Sequence, residues 1–298
     1  MLEIPRDHVV CSLSDAHAPA ARCPSGETVV FHTRDCYNDE IRSEVDYPLD
    51  GDFSNPSTGP LFVEGAEPGD TLKVEILSIE TESTGVMRTA PSHGAYQHQI
   101  TDLSVRIFPI EQGEIVFDER LRIPADAMIG VIGTAPAGGE EISTETPREH
   151  GGNMDCRLIT AGSTLYLPVN TPGALLAIGD LHAVMGDGET LICGMECRGR
   201  VTVRVTALKK VSLPTPFLDA GSRVCTIQSA KTLDEASLLA ARAMHRYLMD
   251  CCGLSAEKAG MLLSLQGHLV ICQIVDPLLT VRMELPRYIL DAYGVVLP

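Results

Sequence analysis

RVTVRVTALKKV, residues 200–211, alternates β-branched apolar residues with Arg and Thr at a period of two. Successive side chains of a strand point to opposite faces, so one face of this segment is buried and the other wet. TLKVEILSIE (71–80) repeats the pattern. TVVFH (28–32), EIVFD (114–118), TLYLPV (164–169), GALLAIG (173–179) and ETLICGM (189–195) are further short runs that read as strands. Turn-forming stretches such as NPSTGP, EPGD, APAGGEE, NTPG and GDGE separate them. GALLAIG is apolar on both faces, as a fully buried strand requires. The spacing changes at residue 232. TLDEASLLAARAMHRYLMDCCG (232–253) has helical periodicity, with Thr232 and Glu235 placed for a capping box and Gly253 for closure. LSAEKAGMLLSLQG (254–267) reads as a second helix capped by Ser255, and HLVICQIVD (268–276) and LLTVRMEL (278–285) return to strand. The expected architecture is mainly β, a sandwich or distorted barrel over residues 1–213, with a smaller α+β unit over 214–298 packed on it.

Composition excludes several function classes. Lys and Arg total 23 against 40 Asp and Glu, a formal charge of −17. Nucleic-acid affinity rests on cationic contacts to phosphate, so that field repels a polyanion. No apolar stretch reaches the ~18 residues of a membrane-spanning helix, and the N-terminal residues do not read as a secretory signal. Ten Cys without such a signal are expected as free thiols in the cytoplasm. No glycine-rich phosphate loop follows a strand, so a nucleotide fold is not expected.

Chemistry-bearing residues concentrate in two stretches. GDLHAVMGDGE (179–189) places Asp180 and His182 at the end of a buried strand and Glu189 at the start of the next run. A hairpin turn uses Asp and Gly in this way. Carboxylates at buried strand ends, however, are costly unless a cation or hydrogen-bond donors compensate them. His with two or three carboxylates is a ligand set for Zn²⁺ or another divalent cation. HGGNMD (150–155) gathers His150, Asn153 and Asp155 around two glycines, and taken alone it reads first as a structured turn. FHTRDCYNDEI (31–41) runs a strand into Asp35, Cys36, Asn38, Asp39 and Glu40, and a solvated acidic loop is its default reading. Asn55 and Thr58 could present polar groups to a pocket, whereas His93 and His98 read as surface residues. Cys193 and Cys197 lack the second pair that a structural zinc site needs.

NPSTGPLFVEGAEPGDTLKVEI, PREHGGNMDCRLITAGSTLYLPV, PGALLAIGDLHAVMGDGETLICGMEC and GHLVICQIVDPLLTVRMELPRYIL together resemble the acetamidase/formamidase family, in order and through nearly the whole chain. The resemblance implies hydrolysis of a short aliphatic amide to carboxylate and ammonia, a β-rich fold, a divalent-metal site, and a homodimer or higher homo-oligomer. Met185 departs from it, standing where the family pattern carries Gln.

Amide hydrolysis needs a water nucleophile, stabilisation of an oxyanion, and an acid for the departing nitrogen. Asp155, Asp180 and His182, with Asp35 as a fourth, are the candidate ligands of a divalent ion, Zn²⁺ first and Ca²⁺ or another ion as alternatives. Glu189 is the candidate base, Asn153 the candidate oxyanion donor, and His150 the third catalytic candidate. Two other readings stand beside this one. One is a binding protein that kept the fold without turnover; the other is a Cys-nucleophile amidase using Cys36 or Cys156.

Overall fold

The structure is a computed structural model that describes residues 1–45, 55–91 and 93–298. Strands make up 41% of it and helices 14%, and among the described residues the sheets do not close into a barrel. Gly199–Leu208, the alternating segment, lies inside a nine-stranded sheet between Thr28–Thr33 and Thr71–Thr81. Val201, Val203 and Val205 are fully buried while Arg200 and Arg204 face water, as a period of two demands. The sheet then runs through Thr164–Pro168, Phe217–Asp219, Arg223–Ala230 and Leu279–Pro286 to His268–Gln273 at its edge. It therefore crosses residue 213 without a break. The proline-rich stretch after that position contains Phe217–Asp219, which pairs with Thr164–Pro168. Leu218, Cys225, Ile227 and Cys272 pack into the same apolar core as Val29, Val74 and Leu165.

A second apolar cluster sits under the helices α1 (Leu233–Cys252) and α2 (Ala256–Gln266). Their ends follow the sequence. The Thr232 hydroxyl accepts from the Glu235 amide, the Ser255 hydroxyl accepts from the Lys258 amide, and Gly253 closes α1 at φ 64°.

A second sheet carries the chemistry. Its central strand, Leu176–His182, is buried along its whole length. It pairs with Ser57–Glu64, Met128–Gly133 and Glu196–Cys197, and Met128–Gly133 pairs in turn with Gly151–Asn153. One expectation fails. Residues 189–195 do not form a strand: Glu189 has φ 42° and Ile192 φ 157°, neither compatible with a regular ladder, and the chain crosses as a loop before pairing at Glu196–Cys197.

Candidate active site

The central strand determines where the polar groups converge. Asp180 and His182 are two residues apart and so share one face, while Leu181 between them joins the apolar core. His182 stands directly across from Glu196 in the pairing register, and its Nε2 lies 3.1 Å from Glu196 Oε1. The same nitrogen is 3.6 Å from Asp180 Oδ1 and 3.9 Å from Asp155 Oδ1. Asp155 arrives just after the Gly151–Asn153 strand. Ligand atoms of Asp155, His182 and Glu189 lie within 4.8 Å of one another, as do those of Cys36, Asp180 and Glu196. Asp276, from the turn between the last two strands, faces Asp155 and Asn153. Asn55 Nδ2 donates to Asp180 Oδ2 at 3.4 Å.

Met128–Gly133 runs between the strands that carry Asp155 and Asp180. A Cβ on Gly130 would come within 2.3 Å of Asp180 Oδ2 and 2.6 Å of Asp155 Oδ1. The absent side chain leaves the space that the two carboxylates occupy. Strain concentrates here as well: Asp155, Asp180 and Glu189 adopt φ of 44°, 54° and 42°. Asp tolerates this region, but for Glu it is uncommon and costs about 1–2 kcal/mol. Such strain clusters where surrounding structure enforces a functional geometry.

Five buried carboxyl groups around one imidazole cannot all be charged in a dry site. Burial pushes Asp155 up to about 6, with Asp180 adding to the rise. Burial also lifts Glu196 to about 8, although His182 opposes it. Glu189 and Asp276 rise well above the carboxylate range through burial and the nearby charge of Asp155. Burial alone would pull the His182 imidazolium down; Glu196 and Asp180 outweigh it and hold it well above its ordinary value. Yet both ring nitrogens of His182, both oxygens of Asp155, and Glu189 Oε2, Glu196 Oε2 and Asp276 Oδ2 are buried without a hydrogen-bond partner. Imidazole and carboxylate lone pairs that converge without donors repel unless a cation lies among them. The donor set, one nitrogen with several oxygens and a thiol alongside, fits a divalent ion of the Zn²⁺ type.

Asp155, Asp180, His182 and Glu189 thus come together as a group. Asn153 is beside them, its Oδ1 buried and without a partner. Asp35 is a neighbour, not a member of either converging group. Its Oδ1 accepts from the Tyr37 and Asp39 amides at 3.0 and 2.8 Å, and it shares a cleft of about 350 Å³ with Glu196. Burial pushes its carboxyl up to about 6. His150 is fully buried with both ring nitrogens unpartnered, and after burial the charges acting on its ring are its chain neighbours Glu149 and Arg148. Thr58 is committed to the His32 carbonyl, and His93 and His98 are exposed. All ten thiols are free. Burial, with Glu196, Asp180 and Asp35 nearby, keeps the Cys36 thiol protonated. Cys156 is lowered by hydrogen bonding to Cys272, but it is fully buried.

Glu196, Asp276 and Gly130 escape a sequence reading. CGMEC draws the eye to its cysteines, although a single acid in an apolar run is itself a signal of a buried partner. Asp276 in QIVDP offers the same signal.

Burial pulls His150 down to about 4, so the native ring stays neutral while an unfolded His takes its proton near 6.5. Stability from this group is therefore lost as pH falls from 6.5 towards 4, by about 3 kcal/mol across that window. Urea unfolding of wild type and His150→Asn at pH 7 and pH 4.5 is expected to show a smaller acid loss in the variant. Equal losses would contradict this.

The chain is similar to known proteins in both sequence and fold. Residues 82–292 match the family model described as the Acetamidase/Formamidase family. The crystal structure of an acetamidase from Bacillus halodurans is 45% identical, with TM-score 0.97 over 99% of this chain and 100% of that one. An acetamidase/formamidase structure from Thermoanaerobacter tengcongensis is 40% identical, with TM-score 0.97 over 99% of both chains. The formamidase of Methylophilus methylotrophus is 28% identical over 208 residues, 51% of each chain, so the chain spans about half the length of the curated relatives it matches.

Proposed function

Because the chain belongs to the acetamidase/formamidase family, we propose that it is a metal-dependent amidohydrolase that cleaves a short aliphatic amide to carboxylate and ammonia. The observation that supports this most is the set of buried, unpartnered nitrogen and oxygen atoms of Asp155, His182, Glu189 and Glu196. Asp155, Asp180 and His182 would hold the divalent ion, and Glu189 and Glu196 belong to the same converging groups. Bound there, the ion supplies Lewis acidity and a nucleophilic water at neutral pH.

The chain's own groups do the rest. Glu189 takes the proton of the attacking water and passes it to the departing nitrogen. The Asn153 carboxamide, one bond network away through Asp276, steadies the developing oxyanion or accepts from the substrate amide, according to how it is rotated. Burial keeps bulk water from competing for these groups. Met185 is buried beside the motif, and in place of the family's Gln it makes the surroundings more apolar, which favours an alkyl over a hydrogen-bonding substituent.

Two finer points complete the reading. No helix among the described residues is long and apolar enough to cross a membrane, and the ten free thiols suit the reducing cytoplasm. Leu269 and Ile271 are exposed on His268–Gln273, the edge strand of the large sheet, which supports pairing with a second copy into a homodimer.

The test is metal content by mass spectrometry, together with ammonia release from formamide, acetamide and longer amides. The expected result is at least one bound divalent ion per chain and turnover that chelation abolishes. Ligand uptake with no ammonia from any amide would point instead to a binding protein.

A further inference from the structure

The stretch GDLHAVMGDGE (179–189) carries a third acid, Asp187, that the site does not use. Asp187 points away from the carboxylate cluster to the C-terminal hairpin formed by His268–Gln273 and Leu279–Pro286. There Arg282 Nη1 and Nη2 donate to its two oxygens at 2.6 and 3.0 Å, a bidentate pair. The Arg282 side chain is 3% exposed. Its Nε donates to Glu284 Oε1 at 2.7 Å, and Glu284 Oε2 accepts from Arg223 at 2.6 Å. The next residue along, Gly188, donates its amide to the Cys272 carbonyl at 2.9 Å at φ 100°, a conformation that glycine permits. Glu189 follows at once, in its strained backbone. The same hairpin shapes the Asp276 turn. The buried Gln273 amide donates to the Leu278 carbonyl at 2.6 Å and the Thr280 hydroxyl at 3.1 Å, while its oxygen accepts from the Val275 and Asp276 amides.

We infer that Asp187 and Arg282 form a strut through which the C-terminal hairpin sets the position of Glu189, making Asp187 a positioning residue for the reaction. Two anchors one residue apart, the ion pair at 187 and the amide at 188, fix the direction in which the chain enters 189. Beside them, the Glu189 amide donates to the Gly186 carbonyl at 3.3 Å, a long bond within the same turn. The C-terminal α+β unit thereby serves the site twice, by delivering Asp276 and by orienting Glu189. The kinetic consequence rests on the amidohydrolase reading, whereas the strut itself does not.

The experiment therefore has two arms, on Asp187→Ala and on Asp187→Asn, which keeps the shape and removes the charge. In hydrogen exchange on the metal-free protein, amides of 186–190 are expected to exchange about tenfold faster in both variants, with Leu176–His182 and α1 unchanged. In steady-state kinetics per folded molecule, kcat is expected to fall about 10–100-fold with KM unchanged. On a Glu189→Gln background, Asp187→Ala is expected to add less than about twofold, because it acts through the group already removed. Unchanged exchange in 186–190 would overturn the strut even if the wild type is an amidase. Faster exchange with no amide turnover in the wild type would retain the strut and overturn the reaction. Full additivity with Glu189→Gln would overturn the link to Glu189.

Discussion

His182→Ala is expected to lose the bound divalent ion and with it about 10³-fold or more of kcat/KM on whichever amide the wild type hydrolyses, a loss of about 4 kcal/mol in transition-state stabilisation. The imidazole would be the nitrogen ligand in the cluster, and its Nε2 is within 4 Å of carboxylates from three separate segments. Alanine removes that ligand and leaves Asp155, Asp180 and Glu196 facing one another across a void. The carboxyls meet this by holding protons, which weakens the remaining oxygen ligands as well. The free protein has the same competition in milder form. His182 is held well above its ordinary value by Glu196 and Asp180, and burial lifts Glu196, so protons are held within this cluster in the metal-free state. An ion must displace those protons to bind. Affinity is therefore expected to rise with pH through the neutral range, and calorimetry in buffers of different ionisation enthalpy is expected to show proton release. Metal content by mass spectrometry, circular dichroism for the fold and ammonia release for activity separate loss of the ion from loss of structure. A folded His182→Ala protein with wild-type turnover would remove the metal reading.

The β class was legible because period two is a direct consequence of strand geometry: Val201, Val203 and Val205 needed nothing beyond their spacing to be placed inside. The helix caps at Thr232 and Ser255 were legible for a similar reason, since a capping hydroxyl bonds an amide three residues away. Of the site, the residues that share a local motif were readable. Asp180 and His182 are two apart on a buried strand, and Asp155 follows a pair of glycines. The convergence was not readable, because it depends on the order of strands. Glu196 meets His182 only through cross-strand register, and Asp276 meets Asp155 only because the last hairpin folds back over the motif. Met128–Gly133 gives little strand signal of its own. Its two glycines weaken the pattern, and Gly130 has its meaning only from carboxylates on two neighbouring strands. The strand expected at 189–195 failed for a physical reason. Its apolar composition suits a ladder, but the site requires Glu189 to turn inward at positive φ, and that requirement overrode local propensity.

Glu189→Gln is expected to lower kcat by about 10³-fold, within the range that a positioned general base contributes, while leaving the fold and the ion in place. The substitution keeps the shape and one acceptor oxygen and removes only the ability to take a proton. Burial and the charge of Asp155 push the Glu189 carboxyl well above its ordinary range in the metal-free protein. A nearby cation acts in the opposite direction and returns it towards the ionised form that a base needs. The acidic limb of the kcat profile is therefore expected to come from Glu189, with activity falling as pH drops and the carboxylate is protonated. In Glu189→Gln that limb is expected to vanish, leaving a low rate that no longer follows this titration. The metal measurement decides between the two roles that the geometry allows, since Glu189 belongs to the converging group with Asp155 and His182. Retained ion with a collapsed kcat identifies the base. Loss of the ion in parallel with kcat identifies a ligand, and proton transfer then passes to Glu196 or Asp276, the remaining buried acids with an unpartnered oxygen in the same cluster.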